Sequence, residues 1–304
     1  SDDAYDFSLL TGDTVGFAIR FTVDGFDKGW WSSSNPAGWS AIKIASFPEG
    51  IYIRADGSID PSIAPIFSAD NITYTFTNNI YYPVIVERNN IVVDGAGYTV
   101  QGTGTRIGIN LTDTINATIQ NMEIKAFQYG IQLVQSSNNK ILRNEIRNNW
   151  CGIWVQDSSN NSISEDKIAN NTFGVWIFAS GNNISGNTIA NNTDSGVVID
   201  FGSSDNNVLE NNIVNNTRGV WIIMASDNEF YRNNFIENTN QVHIPVSGHD
   251  NFWDNSVEGN YWSDYTGVDS DPDGIGDSEY EIDTDNVDHC PLMGMFHSFN
   301  TSLG

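Results

Sequence analysis

Basic residues are scarce: 13 Lys and Arg stand against 38 Asp and Glu, a net charge of −25. Such a surface gains nothing by approaching another polyanion. Nucleic acid and anionic membranes are therefore excluded as partners, and cations are the natural small ones. Cysteine is nearly absent too. Cys151 and Cys290 are the only two, too few for a disulfide scaffold and without the C-x-x-C spacing of a metal site. One bridge between them would suit an oxidising compartment and close a long loop; the alternative is two unpaired thiols. No apolar run approaches 18 residues, so no segment reads as a membrane-spanning helix. Helix-period patterning is also missing, which points away from helical architectures.

What the sequence has instead is repetition. A glycine followed by apolar, any, apolar recurs at Gly108, Gly130, Gly152, Gly174, Gly196 and Gly219, at spacings of 22, 22, 22, 22 and 23, and Gln241 opens a seventh copy. A second apolar position follows in each unit (Ile141, Ile163, Ile184, Val208, Phe230) and then a third (Ile146, Ile168, Ile189, Ile213, Phe235). Three short strands per unit result. Asparagine pairs such as Asn138-Asn139, Asn160-Asn161, Asn182-Asn183 and Asn206-Asn207 precede the second strand. Asn tolerates the left-handed conformation and can bond to its equivalent one coil away, so stacked Asn ladders suit these turns. One coil cannot bury its apolar edge alone. Coils stacked about 4.8 Å apart share a continuous core, and the fold class is all-β, a right-handed parallel β-helix of about 22-residue coils. Residues 1–68 differ: Val15, Phe17, Ile19 and Phe21 alternate, and Trp30, Trp31 and Trp39 cluster. The expected organisation is a small β-sandwich-like domain or cap at 1–68, the β-helix at 69–250, and a C-terminal capping segment at 251–304.

The segments Ile51-Tyr-Ile-Arg-Ala-Asp-Gly-Ser-Ile-Asp60, Asn90-Ile-Val-Val-Asp-Gly-Ala-Gly-Tyr-Thr99 and Gly259-Asn-Tyr-Trp-Ser-Asp-Tyr265, together with the coils, resemble archaeal secreted β-helix proteins of the NosD-like class over about residues 50–295. The resemblance implies a scaffold, not a reaction, because such folds host surface proteins and relatives of polysaccharide-modifying enzymes alike. Tyr5-Asp-Phe and Gly12-Asp-Thr-Val-Gly-Phe-Ala-Ile19 look like the C-terminal half of a carbohydrate-binding β-sandwich, whose first strands this chain would lack.

The sharpest site motif is Asp269-Ser-Asp271-Pro-Asp273-Gly274-Ile275-Gly276-Asp277. Carboxylates at loop positions 1, 3, 5 and 9, a glycine at 6 and the Ile275 carbonyl at 7 match the hard oxygen shell of Ca²⁺. The bland alternative is a solvated acidic turn. Position 12 is Tyr280 rather than glutamate, so a further ligand would come from Glu279, Glu281, Asp283 or water. Such a loop is expected to pin the C-terminal segment.

Side chains alternate along a strand, so the residue between the inward pair of the first strand points outward. Its column reads Asn110, Gln132, Trp154, Trp176, Val198, Trp221, His243. The stripe of Trp154, Trp176 and Trp221 has three possible roles: to stack on sugar rings, to pack under a covering segment of the chain, or to bury against another copy. The internal cover would be Pro291-Leu-Met-Gly-Met-Phe296, to which a Cys151–Cys290 bridge would staple this face.

Catalytic groups look sparse. Asp157, Glu165, Asp166, Asp200 and Glu210 share no outward column that would pair them for acid and base work, and Arg143, Arg147, Arg218 and Arg232 are scattered. The family name would invite copper, but His243, His249, His289 and His297 lack chelating spacing. Nine sequons, at Asn71, Asn110, Asn116, Asn160, Asn170, Asn183, Asn191, Asn215 and Asn300, are glycosylation candidates. With the acidity and the polar start of the chain, they suggest an extracellular or cell-surface protein whose signal peptide has been removed.

The expectation is therefore a non-catalytic envelope or matrix protein, braced by calcium, that polymerises or tiles with copies of itself through open solenoid ends. The alternative is a carbohydrate-binding or polysaccharide-modifying β-helix protein using the tryptophans as a platform.

Overall fold

The computed structural model describes the backbone of residues 17–23 and 26–33, and residues 50–297 apart from Ser247. The chain divides into two units, Ser1–Pro48 and Glu49–Gly304. In the first, Phe17–Val23 pairs antiparallel with Phe26–Ser33 across an irregularity at Phe21/Thr22. Val15, Trp39 and the Tyr5 and Gly12 segments lie outside the described residues.

The second unit is a right-handed parallel β-helix, with no helix among its described residues. Its coils build three sheets of ten, nine and eight strands, referred to below as sheets 1, 2 and 3, and each strand of sheet 3 comes from a different coil. Register follows the repeat. Ile109, Ile131, Ile153, Val175, Val197, Val220 and Val242 pair in succession along sheet 1. The expected second and third apolar columns, Ile141 to Phe230 and Ile146 to Phe235, are wholly buried in sheets 2 and 3. Truncating any of these to alanine would cost roughly 2–5 kcal/mol. The glycine column has a steric cause: a Cβ on Gly174 would lie 2.4 Å from the carbonyl oxygen of Gly196 in the next coil.

The corners are stitched by asparagine. Asn139, Asn161, Asn182, Asn206 and Asn228 form one buried ladder, each donating its side-chain amide to the next residue's Oδ1 at 2.9–3.2 Å. Two further ladders run through Asn144, Asp166, Asn187, Asn211 and Asn233 and through Asn149, Asn171, Asn192, Asn216 and Asn238. Each member also accepts a backbone N–H from the coil before it, so the buried turns leave few main-chain donors unpaired.

The chain enters the stack earlier than residue 69. Ile51–Ile53 pairs in parallel with Val84–Val86, and the Ile51 N–H bonds to the Pro83 carbonyl at 2.7 Å, because Ile51 and Ile53 extend the inward column of sheet 1. The C-terminal segment returns to the end of the stack. At the C-terminal end Trp253 stacks on Phe230, Trp262 on Phe235, and Tyr280 on Trp262, with centroids 4.4, 4.3 and 4.2 Å apart. Asn286 Oδ1 accepts from Asn251 N and Trp253 Nε1 at 3.1 and 3.0 Å. Asp288 Oδ2 accepts from Asn260 N and Trp262 Nε1, both at 2.8 Å. These two residues end two of the ladders and cover that part of the terminal coil.

Candidate functional site

The outward column is as the repeat dictates: Asn110, Gln132, Trp154, Trp176, Val198, Trp221 and His243 are consecutive register partners. They do not stand alone. The first residues of the same strands, Tyr129, Cys151 and Phe173, also face outward and form with Trp154, Trp176, Val198 and Trp221 an apolar cluster separate from the interior core. Trp150, at the corner before Cys151, completes it. Trp150 stacks on Trp176 at 5.9 Å and meets Tyr129 and Phe173 edge-on at 5.6 and 5.3 Å. Trp154 and Trp176 are 5.3 Å apart. The signal for Trp150 was in the sequence: its corner reads Asn-Asn-Trp where later coils read Asn-Asn-Thr at 170–172, 191–193 and 215–217.

Polar groups fix these rings. Trp176 Nε1 donates to Asp200 Oδ2 at 2.9 Å, and Asp200 Oδ1 accepts the Phe201 N–H at 2.7 Å. The Arg218 guanidinium lies over the Trp221 ring, 4.5 Å from its centroid, and is paired with Asp194. Trp221 Nε1 and Gln132 Oε1 are buried without a hydrogen-bond partner, which is unusual for buried polar atoms. Where sheet 1 turns toward sheet 2, the face runs into a cleft of about 390 Å³ walled by Phe178 and Phe201, with Asp157 its one ionisable lining residue.

The cover expected from Pro291–Phe296 lies elsewhere. Leu292 pairs with Tyr261, and Phe296 exchanges two hydrogen bonds with the Asn234 side chain, at 2.7 and 2.9 Å, beside sheet 3. Nor do the cysteines meet; both are free. Cys151 is buried under the aromatic cluster, and burial pushes its thiol well above its usual range. Cys290 sits by the terminal coil, its carbonyl accepting from Gly259 N. Three strands lie between the Cys151 strand and the last strand of sheet 1, four inter-strand steps in all. At about 4.8 Å each, that is far beyond the ~6 Å Cα separation of a disulfide.

At the acidic loop, carboxylate oxygens of Asp269, Asp271 and Asp273 lie within 4.8 Å of one another. Neighbouring Asp273, Asp277 and Asp269 hold the Asp271 carboxyl above its ordinary range. Asp277 Oδ2 accepts the Ser270 N–H at 3.0 Å, and Gly274 has φ +91°. Ile275 bridges to Leu292 and Met293 N bonds to the Gly274 carbonyl, so the loop is tied to the strand that docks on Tyr261. Tyr280 occupies position 12 because its ring caps Trp262. Glu279 approaches His289 at 3.6 Å.

Among the other sequence candidates, Asp166 is buried within an asparagine ladder and Glu165 is exposed. Glu210 and Arg143 make surface ion pairs. Asn71, Asn116, Asn160, Asn170, Asn191 and Asn215 are exposed, Asn110 and Asn183 half-buried; Asn300 lies outside the described residues. His243 lies against Trp221, His249 beside Ser226 and His289 beside Asp254.

Several solved structures share this fold. A periplasmic alginate epimerase, AlgG, matches at TM-score 0.51 and 18% identity over 56% of this chain and 45% of that one. An alginate lyase from Paenibacillus sp. matches at TM-score 0.44 and 13% identity, covering 63% and 91%. A pectate lyase matches at TM-score 0.42 and 14% identity, covering 76% and 77%. The chain spans about half the length of the epimerase structures it matches first. These likenesses concern the fold, and they correct one expectation: an epimerase is built on it, so the scaffold does not mark a non-catalytic chain. No curated protein sequence matches.

The family model that matches, over residues 66–267, is described as periplasmic copper-binding protein (NosD). The donors here do not fit copper, which favours imidazole and thiolate. Among the described residues the one converging donor set is the three carboxylates of Asp269, Asp271 and Asp273. The match spans 66–267 of the 304 residues, and the chain belongs to the NosD family of parallel β-helix proteins.

Proposed function

We propose that this chain is a polysaccharide-modifying protein working outside the cytoplasm, with the sugar chain lying along the outer face of sheet 1. The observation that carries this is the aromatic surface of Trp150, Trp154 and Trp176 running into the Asp157 cleft. Flat rings offer apolar contact to sugar faces while the polar rim meets hydroxyls. At a sugar held between Phe178 and Phe201, Asp157 takes a proton from water, whose oxygen bonds to the anomeric carbon as the glycosidic C–O bond breaks, and passes that proton to the departing oxygen; Asp200 orients Trp176. The enzymes that share the fold support a reaction rather than binding alone. The family's periplasmic description supports an extracytoplasmic or cell-surface location, where the exposed sequons become glycosylation sites.

The test is a panel of soluble polysaccharides assayed for new reducing ends and for unsaturated or epimerised products. Asp157→Asn is expected to lose turnover by about 10²-fold or more while retaining binding. Unchanged turnover in that variant removes Asp157 from the chemistry. A wild-type protein that neither binds nor alters any polysaccharide, yet forms large particles in light scattering, replaces this reading with assembly through the same face.

We further propose that the Asp269–Asp277 loop binds Ca²⁺ through Asp269, Asp271, Asp273, Asp277 and the Ile275 carbonyl, bracing the terminal cap through Leu292. Calcium should raise the melting temperature and chelator reverse it, and Asp271→Asn/Asp273→Asn should abolish the response. A melting temperature insensitive to both would sink the proposal.

A further inference from the structure

We propose that the sugar chain taken by sheet 1 carries no carboxylates, so that polyuronates such as alginate are excluded from it. The inference rests on the reading of that face as the polysaccharide site, and deepens it. Its basis is where positive charge is missing. Between Arg147 and Arg218 the sequence holds one basic residue, Lys167, and Lys167 faces Glu145 in sheet 3, 3.1 Å away. Those coils carry the whole Trp150–Trp154–Trp176 platform and its cleft. Their acidic residues include Asp157 in the cleft wall and Asp200 on Trp176. Further along the face, Arg218 is held by Asp194 and stacked on Trp221.

A polyuronate brings one negative charge per ring. On this face each carboxylate would leave water without meeting a free guanidinium or ammonium, and would approach aspartates instead. Epimerisation or β-elimination at a uronate also needs its carboxylate charge stabilised as the proton leaves, and the only basic residue between Arg147 and Arg218, Lys167, faces Glu145 in sheet 3. An uncharged chain has neither difficulty. It needs the aromatic faces, the serine-rich rim and one proton-transferring group, all of which are present.

The experiment is a fluorescence and calorimetric titration of the full chain with hydroxyethylcellulose, galactomannan and polymannuronate, at about 0.01 M and 1 M salt. At least one uncharged polymer is expected to bind about tenfold or more tighter than polymannuronate at low salt. That gap should narrow at 1 M, where the screening length falls from about 30 Å to 3 Å. Gln156→Lys, which places a cation next to Trp154, should raise polymannuronate binding. Polymannuronate bound as tightly as the uncharged polymers, and lost in Trp176→Ala, overturns the charge inference while leaving the platform standing. Binding of none of them overturns the platform reading itself, and this inference with it.

Discussion

Sheets 1 and 3 share one backbone, one register and one pattern of inward isoleucines, yet their outer faces are opposites. Sheet 3 is closed by its own charges. Glu123 pairs with Lys125 and Arg147, and Glu145 with Lys167 at 3.1 Å. Every charge in that patch has a neighbour of opposite sign, and hydrogen bonds from Lys125, Thr99 and Arg147 hold the Glu123 carboxyl below its usual range despite its partial burial. Sheet 1 presents stacked rings, two buried polar atoms without partners, and a cleft with one carboxylate. A solenoid repeats whatever its outward position holds. Function on this scaffold is therefore a matter of which face is left unsatisfied by the protein itself.

The largest expected effect tests whether both faces depend on one frame. Gly174→Val would press its side chain into the Gly196 carbonyl and should cost about 3 kcal/mol or more, read as lower denaturant and thermal midpoints with both faces disturbed. A tolerated substitution would mean that the coils can spread apart.

Next is a charged rung inside the frame. Asp166 stands in an asparagine ladder, where its Oδ2 has no partner, and burial pushes its carboxyl from 3.8 up to about 7. The folded chain thus holds a proton that the unfolded chain releases near pH 4. Its stability falls as pH rises from about 4 to about 7. Asp166→Asn restores the missing amide donor and should stabilise on the order of 2–3 kcal/mol at pH 8 and little at pH 4, measured by chemical denaturation at both pH values. An equal effect at the two would assign the gain to packing rather than charge.

The faces themselves are separated by smaller effects. Trp176→Ala should weaken polysaccharide binding by about ten- to a hundredfold, roughly 1.4–2.8 kcal/mol. Arg147→Ala on sheet 3 should leave binding unchanged and alter stability by only about 1 kcal/mol, because Lys125 still pairs with the partly buried Glu123. Loss of binding from the sheet 3 variant would move the site to the wrong face.

Much of this was legible before any coordinates. The 22-residue spacing set the coil, the inward columns and the outward run from Asn110 to His243, because a parallel register of equal coils leaves no freedom in which residues align. It did not reveal that Tyr129, Cys151 and Phe173 share the outer face with Trp154 and Trp176. The glycine that follows each of them breaks the simple two-residue alternation at that corner. Trp150 stands in a turn, outside any strand pattern, so only the break in its Asn-Asn-Thr corner marks it. Asp157 and Asp200 each follow the last residue of a strand, so no strand column pairs them, and the cleft is built by the turns that come next.

By itself the sequence determined the solenoid, its core and the charge of each coil, since these follow from period and composition. Only the tertiary structure decided how the C-terminal segment returns. It carries Asn286 and Asp288 to the ends of two ladders, docks Leu292 on Tyr261, and leaves Cys290 far from Cys151. The physical reason is that a repeat fixes each coil only against its neighbours. Where a non-repeating segment docks is settled by the shape and unpaired hydrogen-bonding groups that the finished end presents.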